Sequence, residues 1–176
     1  MKKLSLIATL MAGGVSLMAA EAGFQASLTP DLAVQPTTTR IQGVALSIWG
    51  ENPQDALALG FVNGSTGPSE GLSWGLVNYA DDYTGVAWAA ANISWQRFYG
   101  WENGVVNFSQ GSGTGLQTGV VNITEDFHGL QAGCVNYSEN LRGLQIGVIN
   151  IAMNNTWFEE FPNELATGFP FVNWSF

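Results

Sequence analysis

One histidine, His128, and one cysteine, Cys134, are the chain's whole stock of imidazole and thiol. A hydrolytic triad needs a histidine beside its nucleophile, and a structural zinc site needs about four His, Cys or carboxylate ligands. His128 lies in a polar turn, Glu125-Asp126-Phe127-His128, with nothing around it to build either. A lone cysteine forms no disulfide within the chain. Cys134 falls next to Leu130 and Ala132 in an alternating stretch, which reads as a thiol buried in a core or facing lipid rather than as a nucleophile. The acidic pairs Asp81-Asp82 and Glu125-Asp126 lack the spacing of an EF-hand or a nonapeptide calcium repeat, so they read as solvated turns. Gln117, Gln131 and Gln145 recur at one position and point to a hydrogen-bonded ladder between neighbouring strands. The sequence therefore assigns no catalytic residue, no cofactor-binding residue, no metal ligand and no cofactor, and the expected protein is not an enzyme.

The elements carrying these residues are copies of one phrase. Gly115-Leu116-Gln117-Thr118-Gly119-Val120-Val121-Asn122 returns as Gly129–Asn136 and again as Gly143–Asn150. Its closing asparagines fall at Asn63, Asn78, Asn92, Asn107, Asn122, Asn136 and Asn150, at intervals of 15, 14, 15, 15, 14 and 14. The copy at Gly85–Asn92 has Ala89 for its second glycine, and Ala56–Asn63 lacks the first. Glycine every fourth residue costs a helix about 1 kcal/mol per glycine. The valines, isoleucines and aromatics near each asparagine suit a strand instead. Each unit is thus one short strand and a polar turn. With Phe24–Thr29 and Ile41–Trp49 before the repeats and Gly168–Phe176 after them, the count is about ten strands. Met153–Thr167 breaks the period as a long connection with room for a short helical turn.

Such units build either an antiparallel meander or a parallel β-solenoid. A coil of 14 residues leaves little room for strands and corners, so the expected fold is an all-β antiparallel meander closed into a small barrel, with the parallel solenoid as the alternative. Alternation puts Leu116, Thr118, Val120 and Asn122 on one face and glycine, Gln117 and Val121 on the other. An apolar outer belt around small and polar residues is the pattern of a membrane barrel. Val172, Trp174 and Phe176 alternate to the terminus like a closing strand, although the phrase register puts Trp174 and Phe176 on the opposite face from the belt.

Residues 1–22 read as an export leader: Lys2-Lys3, an apolar run Leu4–Leu17, then Ala20-Glu21-Ala22 as a cleavage site, with cleavage after Ala20 as the second choice. Residues 23–176 form a single β domain. Removing the leader leaves three arginines, no lysine and thirteen acidic residues. Nucleic acid, which is held through Lys/Arg clusters, is excluded as a partner. The expected partner is outer-membrane lipid, and the expected location is the outer membrane or cell surface, with the periplasm as the alternative. Asn-x-Ser/Thr recurs at Asn63, Asn92, Asn107, Asn122, Asn136, Asn154 and Asn173 as a by-product of the repeat.

The Gly-Leu-Gln-x-Gly-Val-x-Asn phrase, the opening Leu28-Thr29-Pro30 and the ending Phe169-Pro170-Phe171-Val172-Asn173-Trp174-Ser175-Phe176 carry a resemblance. The chain resembles an uncharacterised bacterial group of exported surface-repeat proteins. The resemblance implies a surface protein with a structural or interaction role; it implies no activity and no functional residues.

Overall fold

In the computed structural model, which describes residues 20–176, the chain is all β. One eight-stranded sheet has the order β2-β1-β3-β4-β5-β6-β7-β8. The strands are β1 (Glu21–Thr29), β2 (Leu32–Ala33), β3 (Arg40–Asn52), β4 (Asp55–Trp74), β5 (Val77–Trp88), β6 (Ala91–Ala132), β7 (Val135–Ala152) and β8 (Gly168–Ser175). From β1 through β3 to β7 every pairing is parallel. The long strands pass through bends and wind into coils stacked along one axis. The expected leader, residues 1–22, lies almost wholly outside the described residues, which begin one residue before β1.

The meander and the barrel are therefore corrected to the parallel β-solenoid. The register gives the reason. Asn122 pairs with Asn136, Gly129 with Gly143, Leu130 with Leu144 and Gln131 with Gln145. Parallel stacking at one repeat per coil sets like on like, whereas a meander would carry successive asparagines to alternate ends of the sheet. Room for a 14-residue coil comes from two glycine columns. Gly71, Gly85, Gly100, Gly115, Gly129 and Gly143 all adopt positive φ, between 122° and 143°. A Cβ on Gly129 would lie 2.0 Å from the carbonyl oxygen of Gly115, so the corner turns tightly only while that side chain is missing. The alternation of 14 and 15 is absorbed at the polar edge, by irregularities between Ser65 and Pro68 and between Ala80 and Asp82.

The ends of the stack are closed by antiparallel strands. β2 pairs with β1 at one end and β8 with β7 at the other, so β1 and β8 never meet and close no barrel. Residues 153–167 form turns and bends without a helix, and the Phe161–Pro162 peptide is cis. In β8, Asn173 and Ser175 point inward while Phe176 stays exposed, so the conflict in register is settled by an antiparallel cap.

The face assignment changes as well. Gln131 and Asn136 are both fully buried although five residues separate them. The bend at Gly133-Cys134 reverses the alternation between them and turns both polar columns inward. The buried apolar side chains are few: apart from alanines they are Ile41, Tyr83, Phe98, Phe127, Leu141 and Leu165.

Candidate functional site

Amide hydrogen bonds occupy the inside of the stack. Each asparagine Nδ2 donates to the Oδ1 of the asparagine one coil further on, from Asn63 through Asn78, Asn92, Asn107, Asn122 and Asn136 to Asn150, at 2.8–3.0 Å. A second proton of several amides goes to the main chain, as Asn107 to the Thr118 carbonyl and Asn136 to the Ile146 carbonyl, which fixes the amide orientation. The first link accepts from Ser47 Oγ, and the last donates to the Phe169 carbonyl. A parallel, in-register stack is the geometry in which identical amides can chain this way.

The glutamines form the ladder expected of them, and it runs in the opposite direction. Gln145 Nε2 donates to Gln131 Oε1 and Gln131 Nε2 to Gln117 Oε1, both at 2.8 Å. Gln117 Nε2 then donates to Glu102 Oε2 at 2.6 Å. The two columns of amide dipoles thus oppose each other. One coil earlier the position is Ala87, which has no acceptor to offer. A glutamine at 102 would therefore hold an amide proton with no ladder partner, and a carboxyl ends the row instead.

Glu102 is fully buried and also accepts from Ser94 Oγ at 3.1 Å and Ser109 Oγ at 3.3 Å. Burial pushes its carboxyl up to about 7, against the three hydrogen bonds that favour the charged form. Once protonated, Oε1 can donate to the Ser94 hydroxyl. In the sequence the only mark of Glu102 is that it is the single acidic member of the glutamine column. No open recess reaches it: the adjoining gap, lined by Tyr83, Ala87 and Phe98, holds about 10 Å³, room for a water at most.

His128 is exposed on the polar edge, and among the described residues no group of three or more His, Cys, Asp or Glu could hold a metal ion. The acidic turns bond between coils. Asp82 forms a two-pronged pair with Arg97, Asp126 accepts from Asn140 Nδ2, and Asp81 accepts from the Gly67 amide. Cys134 is exposed on the outside of the bend, which removes the buried-core reading of its thiol. Six of the seven sequon asparagines, all but Asn154, are buried, because the asparagine and the hydroxyl two residues on both point inward.

The outside is where the apolar side chains stand. Phe61, Leu76, Val105, Val120 and Val148 line the bend, each between 47% and 62% exposed. On one side of it run Val62, Val77, Ala91, Val106, Val121, Val135 and Ile149, in register. The other side carries Leu57, Leu72, Val86, Trp101, Leu116, Leu130 and Leu144, flanked by a column with the exposed Trp74, Trp88 and Ile146 and the mutually bonded Asn103 and Thr118. From the first asparagine coil to the last, the carboxylate, guanidinium and imidazole side chains sit on the opposite, polar edge or, for Glu102, inside. Glu51, at the N-terminal margin of the valine side, is held by the Tyr79 hydroxyl.

Comparison of the chain with protein-family models, curated proteins and solved structures finds no match.

Proposed function

We propose that the protein is an exported, non-enzymatic β-repeat protein of the bacterial outer membrane or cell surface, with a structural or interaction role exerted through its outer faces. One observation carries this reading: the two inward amide columns bond along themselves as ladders, while the largely apolar outer surface of seven coils is left bare. Soluble monomers rarely bare apolar patches beyond a few hundred Å², and larger ones mark interaction sites. The leader at residues 1–22 supports export, and cleavage after Ala20 would leave β1 whole. Fractionation of the native host tests the reading. The processed chain should sediment with the outer membrane or be reached by protease on intact cells. Recovery in the cytoplasm with the leader uncleaved would overturn it.

A second reading, a soluble periplasmic or secreted binding module, is favoured by a recess of about 470 Å³ on the polar edge. Gly113 lacks a side chain there, and Thr114, Asp126, His128, Asn140 and Arg142 line the opening. Full recovery in the soluble periplasm would select this reading.

A further inference from the structure

The geometry points to a lipid leaflet as the occupant of the bare surface: we infer that the solenoid lies lengthwise in one leaflet, bend inward and polar edge at the headgroups, without crossing the bilayer. The inference rests on the reading of a surface protein and names the partner of its outer faces.

Around the cross-section, the bend and both sides flanking it are apolar apart from Asn103 and Thr118, whose side chains bond to each other. A second copy or a flat partner could cover one of these sides; a fluid hydrocarbon layer covers all three together. Depth agrees with this. From the bend to the acidic turns the coil extends four or five residues, roughly 15 Å at about 3.3 Å per residue, near half of a hydrocarbon core of about 30 Å. Seven coils at about 4.8 Å give a wedge some 30 Å long. Main-chain groups cause no penalty along its flanks, since each coil bonds to its neighbours and exposes no strand edge there.

Aromatic residues mark the waterline. Tyr79 and Tyr137 lie on the valine side one residue past the buried asparagines, between the apolar columns and the acidic turns. Trp95 and Tyr99 stand exposed on the polar edge itself. Tyr and Trp with an apolar body and a polar tip collect at the headgroup level. The charge distribution also specifies the kind of lipid. With Asp82, Asp126 and Glu139 on the far edge and no lysine after Lys3, attraction to anionic headgroups contributes nothing, so binding should be to zwitterionic lipid and indifferent to salt.

Cys134 offers a reporter on the bend. The full chain, labelled there with a polarity-sensitive dye, is mixed with phosphatidylcholine vesicles. The account expects a blue-shifted emission, quenching by brominated acyl chains and retention in concentrated salt. A dye at Glu139→Cys in a Cys134→Ser chain should stay in water. The triple variant Leu76→Glu/Val105→Glu/Val148→Glu, altered only at outward positions, should partition at least about tenfold more weakly. All chains carry the same leader, so its own affinity for lipid cancels in the comparison. If the variant fails to fold, the depth contrast between the two dye positions on the wild-type surface decides alone. Absence of binding, equal depth of the two dyes, or binding that survives the triple variant overturns the proposal. So does a dye shift that follows protein concentration without vesicles, which would assign the surface to a second copy. Surface exposure in cells combined with no vesicle binding would reject the lipid and leave the surface reading standing.

Discussion

After Glu102 the inner column carries Gln117, Gln131 and Gln145; before it, the matching positions are Ala58, Ser73 and Ala87. Tyr83 and Phe98, stacked at 6.1 Å, fill the space that glutamine leaves in the earlier coils. The later coils use Phe127 and Leu141 together with the amide row. One cross-section is thus filled in two ways, by aromatic packing on the N-terminal side and by a directional hydrogen-bond chain on the C-terminal side, with Glu102 at the seam. Small residues backed by aromatics tolerate local change, because packing contacts are not directional. A ladder couples its members, since removing one takes a hydrogen bond from both neighbours.

The corner glycines are common to both halves, and the largest effect is expected there. Gly129→Val should abolish the cooperative fold, because its Cβ would collide with the Gly115 carbonyl and its backbone would be forced into positive φ. Loss of the strand signal in circular dichroism would show it; a native spectrum would mean that the corner is not closed as described.

The comparison between halves is sharpened by Gln131→Ala against Ser73→Ala. Gln131→Ala removes the ladder bonds of Gln145 Nε2 and Gln117 Oε1, which keep only the Ile151 carbonyl and Thr124 Oγ1, and opens a gap in a dry interior, at about 3 kcal/mol in all. Ser73→Ala removes a single bond to Asn78 Oδ1 and should cost about 1 kcal/mol. Denaturant midpoints would report both. Equal losses would mean that the ladder carries no more than ordinary packing.

Glu102 predicts how the seam responds to pH. Its folded carboxyl titrates near 7 and its ordinary value is 4.5. Below 4.5 both states hold the proton and nothing is lost. Between 4.5 and 7 the unfolded chain releases it while the folded chain keeps it, so stability falls as pH rises. Above 7 the loss is complete, at about 3 kcal/mol. Glu102→Gln should flatten that slope in unfolding curves taken across the window. An unchanged slope in the variant would place the titration elsewhere.

Much of this was legible in the sequence. The spacing of the asparagines revealed the period, and the recurrence of Gln117, Gln131 and Gln145 announced a ladder. Direction was not legible, because a phrase of one strand and one turn suits a meander and a coil alike. The missing clue was the tightness of the corner, which depends on positive φ at Gly71 through Gly143 and on an interior of small amides instead of aliphatic side chains. The reversal of alternation at Gly133-Cys134 was hidden for the same reason: a bend inside a phrase leaves no polar residue to mark it. Glu102 could have been found by asking which member of the glutamine column differs.

The central claim is parallel, in-register stacking, and a second thiol beside Cys134 tests it most directly. Val148 stands one coil on, and the Ile149 amide donates to the Cys134 carbonyl. Adjacent coils lie about 4.8 Å apart, within the Cα range of roughly 4.4–6.8 Å that a disulfide spans. Val148→Cys should therefore oxidise to an intrachain disulfide in the folded protein, seen as a mass loss of two hydrogens with the strand spectrum retained. A meander with a two-residue turn at Glu139-Asn140 would instead bring Cys134 opposite Gln145. Cross-linking of Gln145→Cys to Cys134, with Val148→Cys remaining free, would contradict the solenoid.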